Sequence, residues 1–410
     1  MYWFVLRLLG AELLADGIWW WWADFRLRKL PRSGVYRIGV AAFALFQIAA
    51  FVTIILSRFR GFQVHLWAAL LTAVYLWHLL VLPLWVLAMV LSLAIRGTFL
   101  LYRFIRSRIK KQKPRGVTSQ PASAAVTRRQ AMAAAAVAAS PLLTGGVVAA
   151  AMMELNHFRV RKTTVNLPML PFALDGLTIA HVSDVHVGRF TTDALLESVV
   201  KTTNDLKADL VLLSGDLIDY SLSDLPKALS MVQRMEGRFG TFMCQGNHDL
   251  FADRYEFGRQ VRQAGIPLLV NDGASLEING QAVQILGLQW SVPGTRVEVV
   301  PLENWLVSNM NQMLRVRDRR AFSILLSHHP HALDYAEQVG IPLTLAGHTH
   351  GGQLMLTEHI GVGPMMFKYV SGLYTKPSGS ALVVSNGVGN WFPLRINAPA
   401  EIVHITLRPA

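Results

Sequence analysis

Apolar residues run almost without interruption through the first third of the chain, then break into short, strand-sized groups. Three stretches contain no Asp, Glu, Lys or Arg: residues 38–57, 61–95 and 130–153. About 20 apolar residues cross a bilayer, so each stretch is long enough. The middle one would be about 52 Å long as a single helix, against an apolar bilayer thickness of about 30 Å. It must kink at Pro83, protrude from the bilayer or fold into two short spans. The first 22 residues are less uniform. They include Arg7, Glu12 and Asp16 before a Trp19–Trp22 block suited to the headgroup interface, and read as a further span or as an amphipathic surface helix. After residue 175 the pattern changes. The runs 177–182, 210–213, 241–244, 323–326 and 343–346 are short, apolar and β-prone, and each ends in a polar cluster. Helix-like stretches at 192–207 and 225–234 lie between the early ones. This alternation predicts a largely parallel sheet with its ligand at the carboxyl ends of the strands.

Composition supports a membrane protein. Hydrophobic residues make up 52% of the chain and charged ones 16%, with a net charge of +13. That charge is unevenly spread. Residues 1–162 hold 21 Lys+Arg and 4 Asp+Glu, a balance of +17, and residues 163–410 hold 18 and 22, a balance of −4. The basic excess belongs to the apolar part, where Arg26, Arg28, Lys29, Arg32 and Arg37 precede the stretch 38–57. Arg103 to Arg115, with Arg128 and Arg129, lie between the stretches 61–95 and 130–153. Cytoplasmic loops are enriched in such residues. The expected division is therefore about three transmembrane helices in 1–105, a basic cytoplasmic linker in 106–129 and an anchor helix in 130–153. Residues 154–410 then form a domain outside the cytoplasm of a bacterial inner membrane. The Arg128-Arg129 pair before an Ala-rich run resembles a twin-arginine export signal, with Ala131 where such signals usually carry Phe. The acidic domain disfavours nucleic acid as a partner. One cysteine, Cys244, excludes an internal disulfide and any multi-cysteine metal site.

The polar clusters hold the chemistry. In order they are Asp184-Val185-His186, Gly215-Asp216, Gly246-Asn247-His248-Asp249, Ser327-His328-His329 and Gly347-His348-Thr349-His350-Gly351-Gly352-Gln353. Imidazole and carboxylate together suit Mn, Fe or Zn better than Ca or Mg. An aspartate able to bridge two cations provides for phosphate binding and water activation. Gly215, Gly246 and Gly347 are expected to let the backbone turn beside the ligands.

These five motifs, in this order, resemble the calcineurin-like metallophosphoesterases over about residues 175–408. The similarity is to a bacterial branch with N-terminal membrane or twin-arginine segments. The resemblance implies an α-helical transmembrane region followed by a four-layer α/β/β/α sandwich with two central sheets. It implies two divalent metal ions, with manganese favoured. Asp184, His186, Asp216 and His350 would hold the first, and Asp216, Asn247, His328 and His348 the second. His248 would be the general acid, and Asp219 would orient it. His328 is preferred to His329 as ligand. His181 and His331 are read as structural or surface residues, Asp249 as a cap or loop holder, and Arg395 as a substrate contact or a structural residue. A phosphate-binding role at Asn386 is in doubt, since many similar proteins carry a basic residue there. The expected activity is hydrolysis of phosphodiester or phosphoanhydride bonds, on a phosphate ester that is lipid-linked or near membrane lipids. The alternatives are a UDP-2,3-diacylglucosamine-type pyrophosphatase at the cytoplasmic face and a non-enzymatic ligand sensor.

Overall fold

The computed structural model describes residues 2–28, 30, 33–60, 67–109, 128–290, 302–357 and 359–410. Most of the expected basic linker lies outside these residues. The chain divides into two compact units, Met1–Met152 and Met153–Ala410.

The N-terminal unit is helical. Helix α1 (Tyr2–Leu27) is followed by α2 (Ser33–Arg60) and α3 (Ala68–Leu76), then α4 (Leu82–Ile109) and α5 (Arg128–Glu154). A five-residue π turn, Trp77–Val81, joins α3 directly to α4. The long uncharged stretch is thus one continuous helical path from Ala68, not a hairpin. It runs to Ile109, past the expected boundary at residue 105. Pro83 lies just beyond the π turn, and the wider turn accommodates a ring that cannot donate a hydrogen bond and would crowd the preceding carbonyls. Among the described residues, three helical segments are long and apolar enough to cross a membrane: Ser33–Leu56, Ala68–Arg106 and Ala134–Glu154.

The C-terminal unit holds two sheets rather than the one that strand–helix alternation suggested. Strands β1 (Arg159–Leu167), β2 (Thr178–Val182), β3 (Leu210–Leu213) and β4 (Thr241–Met243) share a sheet with β11 (Glu401–Pro409), in the order β1-β11-β2-β3-β4. Strands β5 (Asp272–Ile278), β6 (Gln281–Gly287), β7 (Phe322–Leu326), β8 (Leu343–Ala346), β9 (Gly372–Thr375) and β10 (Ala381–Val384) form the other, in the order β5-β6-β7-β8-β10-β9. β11 inserts antiparallel to β2, and β5 and β9 cap the second sheet antiparallel. The motif-bearing strands pair in parallel within each sheet, so their carboxyl ends stay together.

Alternating side chains explain the layering. Leu210 and Leu212 of β3 join Ile324, Leu343 and Val383 of the opposite sheet in one buried core between the sheets. Val211 and Leu213 point the other way. They pack with helices α6 (Asp193–Asp205), α7 (Leu225–Val232) and α8 (Arg254–Gln263). On the far face of the second sheet, Leu286 and Leu325 meet Leu306 and Met310 of α9 (Leu302–Met313) and Ala332 and Ala336 of α10 (Ala332–Gln338). The result is the four-layer α/β/β/α sandwich. Helix α6 begins where Thr192 caps it, its side chain accepting from Leu195 N.

Candidate metal centre

Each polar cluster begins where a strand ends, and the backbone there is unusual. Asp184, His186, Asp216, His348 and His350 all have φ between 48° and 72°, the left-handed region that non-glycine residues rarely adopt. Their loops are tied together: Asp184 N donates to Gly215 O and His186 N to Asp216 O, each at 3.0 Å. Local strain held by surrounding structure is a recurrent feature of functional sites. Of the three motif glycines, Gly215 alone has a positive φ, of 97°. Gly246 and Gly347 instead make room, because a Cβ on either would collide with Asp216 or Asp184.

Two groups of candidate ligand atoms form, meeting at one carboxylate. Asp184, His186 and His350 form the first and Asp216, His328 and His348 the second, with the atoms of each group within 4.8 Å of one another. In the first, His350 Nε2 lies 3.1 Å from His186 Nε2 and 3.3 Å from Asp184 Oδ1. In the second, His328 Nε2 lies 3.1 Å from Asp216 Oδ2. The same Asp216 oxygen is 3.6 Å from His186 Nε2. Asp216 Oδ1 accepts a 2.8 Å hydrogen bond from His248 N, which turns Oδ2 toward both groups. His328 Nδ1 donates to Ser214 O at 2.7 Å, so Nε2 is the ring atom left to face Asp216. That Nε2 and Asn247 Oδ1 are buried without hydrogen-bond partners. Buried polar atoms left without partners beside shared carboxylates are the environment a cation satisfies. The nitrogen and oxygen donors present therefore fit two divalent metal ions.

The electrostatics agree. Burial opposes ionisation of Asp184 and Asp216, but the surrounding His350, His328, His186 and His248 outweigh it and hold both carboxyls below the usual range. Burial also disfavours a charged His328, yet Asp216 and Asp184 push its ring up to about 9. Burial holds His348 down to about 3. A third close group, His186, Asp219 and His248, is occupied differently. His248 Nδ1 donates to the backbone carbonyl of Asp219 at 2.6 Å, with the Asp219 carboxylate 3.4 Å away. Asp219 thus meets His248 through its backbone as well as its side chain. Burial works against the charged His248 ring, but Asp219 and Asp216 raise it to about 9.

The residues outside the ligand set have definite places. His329 is buried, and its Nδ1 accepts from His331 N. The structure brings His328, rather than His329, to Asp216. His181 is fully buried and starts a chain of donors: its Nε2 to Ser214 Oγ, Ser214 Oγ to Ser183 Oγ, and Ser183 Oγ to Asp184 Oδ2, at 2.8, 2.8 and 2.5 Å. Asp249 accepts from the backbone N–H groups of Leu217, Ile218 and Gly246, stitching the Asp216 loop to the Asn247 loop. Arg395 is consumed internally. It donates to Asn390 Oδ1, to the carbonyls of Asn386, Gly387, Gly389 and Ala398, and to His350 Nδ1 at 3.0 Å. Asn386 is likewise engaged, with Ser371 Oγ and Pro399 O. The contacts that join separate loops, such as His181 with Ser214, Asp249 with Leu217 and Ile218, and Arg395 with His350, link residues about 30 or more apart, so the sequence alone did not reveal them.

Residues 177–352 match the family model for calcineurin-like phosphoesterases. The chain is 30% identical to the uncharacterized metallophosphoesterase YkuE of Bacillus subtilis, over 62% of this chain and 87% of that protein. It is 30% identical to the transmembrane protein with metallophosphoesterase domain of Danio rerio, over 60% of this chain and 57% of that one. It is 25% identical to the UDP-2,3-diacylglucosamine pyrophosphatase LpxG of Chlamydia trachomatis, over 61% and 89%. Similarity extending over nearly the whole Bacillus protein, joined to ligand groups that meet at one aspartate, leads to one assignment: the chain belongs to the calcineurin-like metallophosphoesterases and is a phosphoric ester hydrolase.

Proposed function

We propose that the chain is a membrane-anchored, two-metal phosphoesterase that cleaves phosphodiester or phosphoanhydride bonds in a membrane-associated substrate. The observation that carries this reading is the single Asp216 oxygen lying between His186 and His328. Asp184, His186, Asp216 and His350 would hold one cation, and Asp216, Asn247, His328 and His348 the other. Manganese is the first choice, with iron and zinc next. When bound, such a pair supplies Lewis-acid charge for the phosphoryl oxygens and makes water a stronger nucleophile at neutral pH.

The protein's own residues supply the remainder. His248 is held by Asp219 O through Nδ1–H, and its Nε2–H is the proton source for the leaving oxygen. The Asp219 carboxylate keeps that ring charged. Asp249 holds the two loops that present Asp216 and Asn247. One water is consumed, and a phosphomonoester and an alcohol, or two phosphates, are released.

The apolar segments support attachment through spans in residues 1–105, a basic linker at 106–129 and an anchor at 130–153. Retention of the basic clusters inside would put residues 154–410 outside the cytoplasm. The name of LpxG supports a second reading, a pyrophosphatase acting on a lipid-linked nucleotide at the cytoplasmic face. Purified full-length protein with Mn²⁺ should hydrolyse bis-p-nitrophenyl phosphate, and Asp216→Ala should abolish this. Equal rates in the variant would overturn the two-metal reading. A reporter fused after Ala410, active only outside or only inside the cell, separates the two topologies.

A further inference from the structure

Ionisable residues inside an apolar helical unit are costly unless partnered and mark functional sites. Among its described residues the N-terminal unit buries two, Asp16 of α1 and His78 of the π turn, each 1% exposed. Asp16 Oδ1 accepts from Trp77 Nε1 at 2.7 Å, and Asp16 Oδ2 lies 3.0 Å from His78 Nε2. His78 Nδ1 lies 2.9 Å from the carbonyl of Val74. A carbonyl only accepts, so Nδ1 carries a hydrogen. The contact between Nε2 and Oδ2 therefore needs one further proton, on the imidazole or on the carboxyl. Removing it would leave a bare carboxylate facing a nitrogen lone pair, away from water, at high cost.

The surroundings enclose this pair. Phe51 of α2 stacks on His78 at 4.0 Å, and Trp19 and Phe43 pack edge-on against Trp77 at 4.7 and 4.8 Å. Gln47 lies on α2 one turn from both Phe43 and Phe51 and so faces the same interior. It is 1% exposed, and its Oε1 has no hydrogen-bond partner. Glu12, one turn before Asp16, is the other ionisable group on that face of α1. Residues 38–57 of α2 and 68–95 of α3 and α4 contribute no charged side chain, and no titratable one besides His78 and Tyr75. The π turn starts at Trp77, presenting consecutive residues to the two oxygens of one carboxyl.

We infer that the N-terminal unit carries a proton-binding site of its own, in which Asp16 and His78 hold one proton between them and fasten α1 to the π turn. It is separate from the metal centre and does not depend on the proposed activity. The test uses full-length protein in detergent, comparing thermal unfolding of wild type, Asp16→Asn and His78→Gln from about pH 5 to 9. His78→Gln leaves a lone buried carboxyl that is easier to keep neutral in acid, so its midpoint should rise on acidification relative to wild type. Asp16→Asn leaves a lone buried imidazole that must stay neutral, so its midpoint should fall on acidification. Parallel pH profiles for all three proteins would overturn the inference. If a variant fails to fold, the ring nitrogens of ¹⁵N-histidine-labelled wild type decide. Ring-nitrogen shifts of His78 that stay constant across the range support the shared proton, and loss of an Nε2 proton within the range overturns it.

Discussion

Gly347 closes β8 and leads into the two histidines of the last motif, yet its φ is not in the left-handed region. What excludes a side chain is Asp184. A Cβ at Gly347 would stand about 1.3 Å short of ordinary contact with Asp184 Oδ2, and as close to Ser183 Oγ. Neither neighbour is the free end of a flexible chain. Asp184 is fully buried between His348 N and Ser183 Oγ, and Ser183 is held by Ser214. Gly347→Ala should therefore displace the Asp184 carboxylate by about 1 Å. Overpacking of this kind costs about 1–3 kcal/mol of stability, and a 1 Å misplacement in a catalytic site costs about 100-fold in rate. The assay is bis-p-nitrophenyl phosphate hydrolysis with Mn²⁺, paired with a thermal unfolding curve to show that the variant is folded. A folded Gly347→Ala protein with kcat/KM within about twofold of wild type would refute the claim that close approach, rather than backbone freedom, explains this glycine.

Activity of the loaded enzyme should fall above about pH 9, where His248 loses its proton. Asp219→Asn keeps the backbone carbonyl contact but removes the carboxylate, so the alkaline limb should move down toward the ordinary imidazole value of about 6.5. An unmoved limb in the pH–rate profile would remove His248 as the acid. Arg395→Lys abandons several buried carbonyl acceptors, each costing about 1–3 kcal/mol. The unfolding midpoint should drop by at least about 4 °C, and an unchanged midpoint would contradict the structural role. Mn²⁺ at about 100 times its Kd should stabilise the chelator-treated protein by about 2.7 kcal/mol per site. Asn247→Ala should lose part of that gain, as read by thermal shift against metal concentration.

The sequence by itself determined the residue types of the centre and their order. Metal chemistry demands carboxylate, imidazole and amide donors, and strand ends are marked by where an apolar run stops. Asp184, His186, Asp216, Asn247, His328, His348 and His350 all stand at such points. The uncharged runs likewise announced the apolar helices, because bilayer thickness sets a minimum length that composition alone reveals. The tertiary structure decided what depends on distant contacts. β11, from the far end of the chain, enters the first sheet beside β2, while β6, β7, β8 and β10 pair with one another rather than with it. His328 rather than His329 faces Asp216 because Ser214 O, just past the end of β3, fixes its ring. The buried His181 chain, the Asp249 tether and the Arg395 clamp join residues whose spacing carries no local signal. The left-handed backbone at five candidate ligands also arises there, since loops held by one another can maintain φ values that an isolated segment would relax.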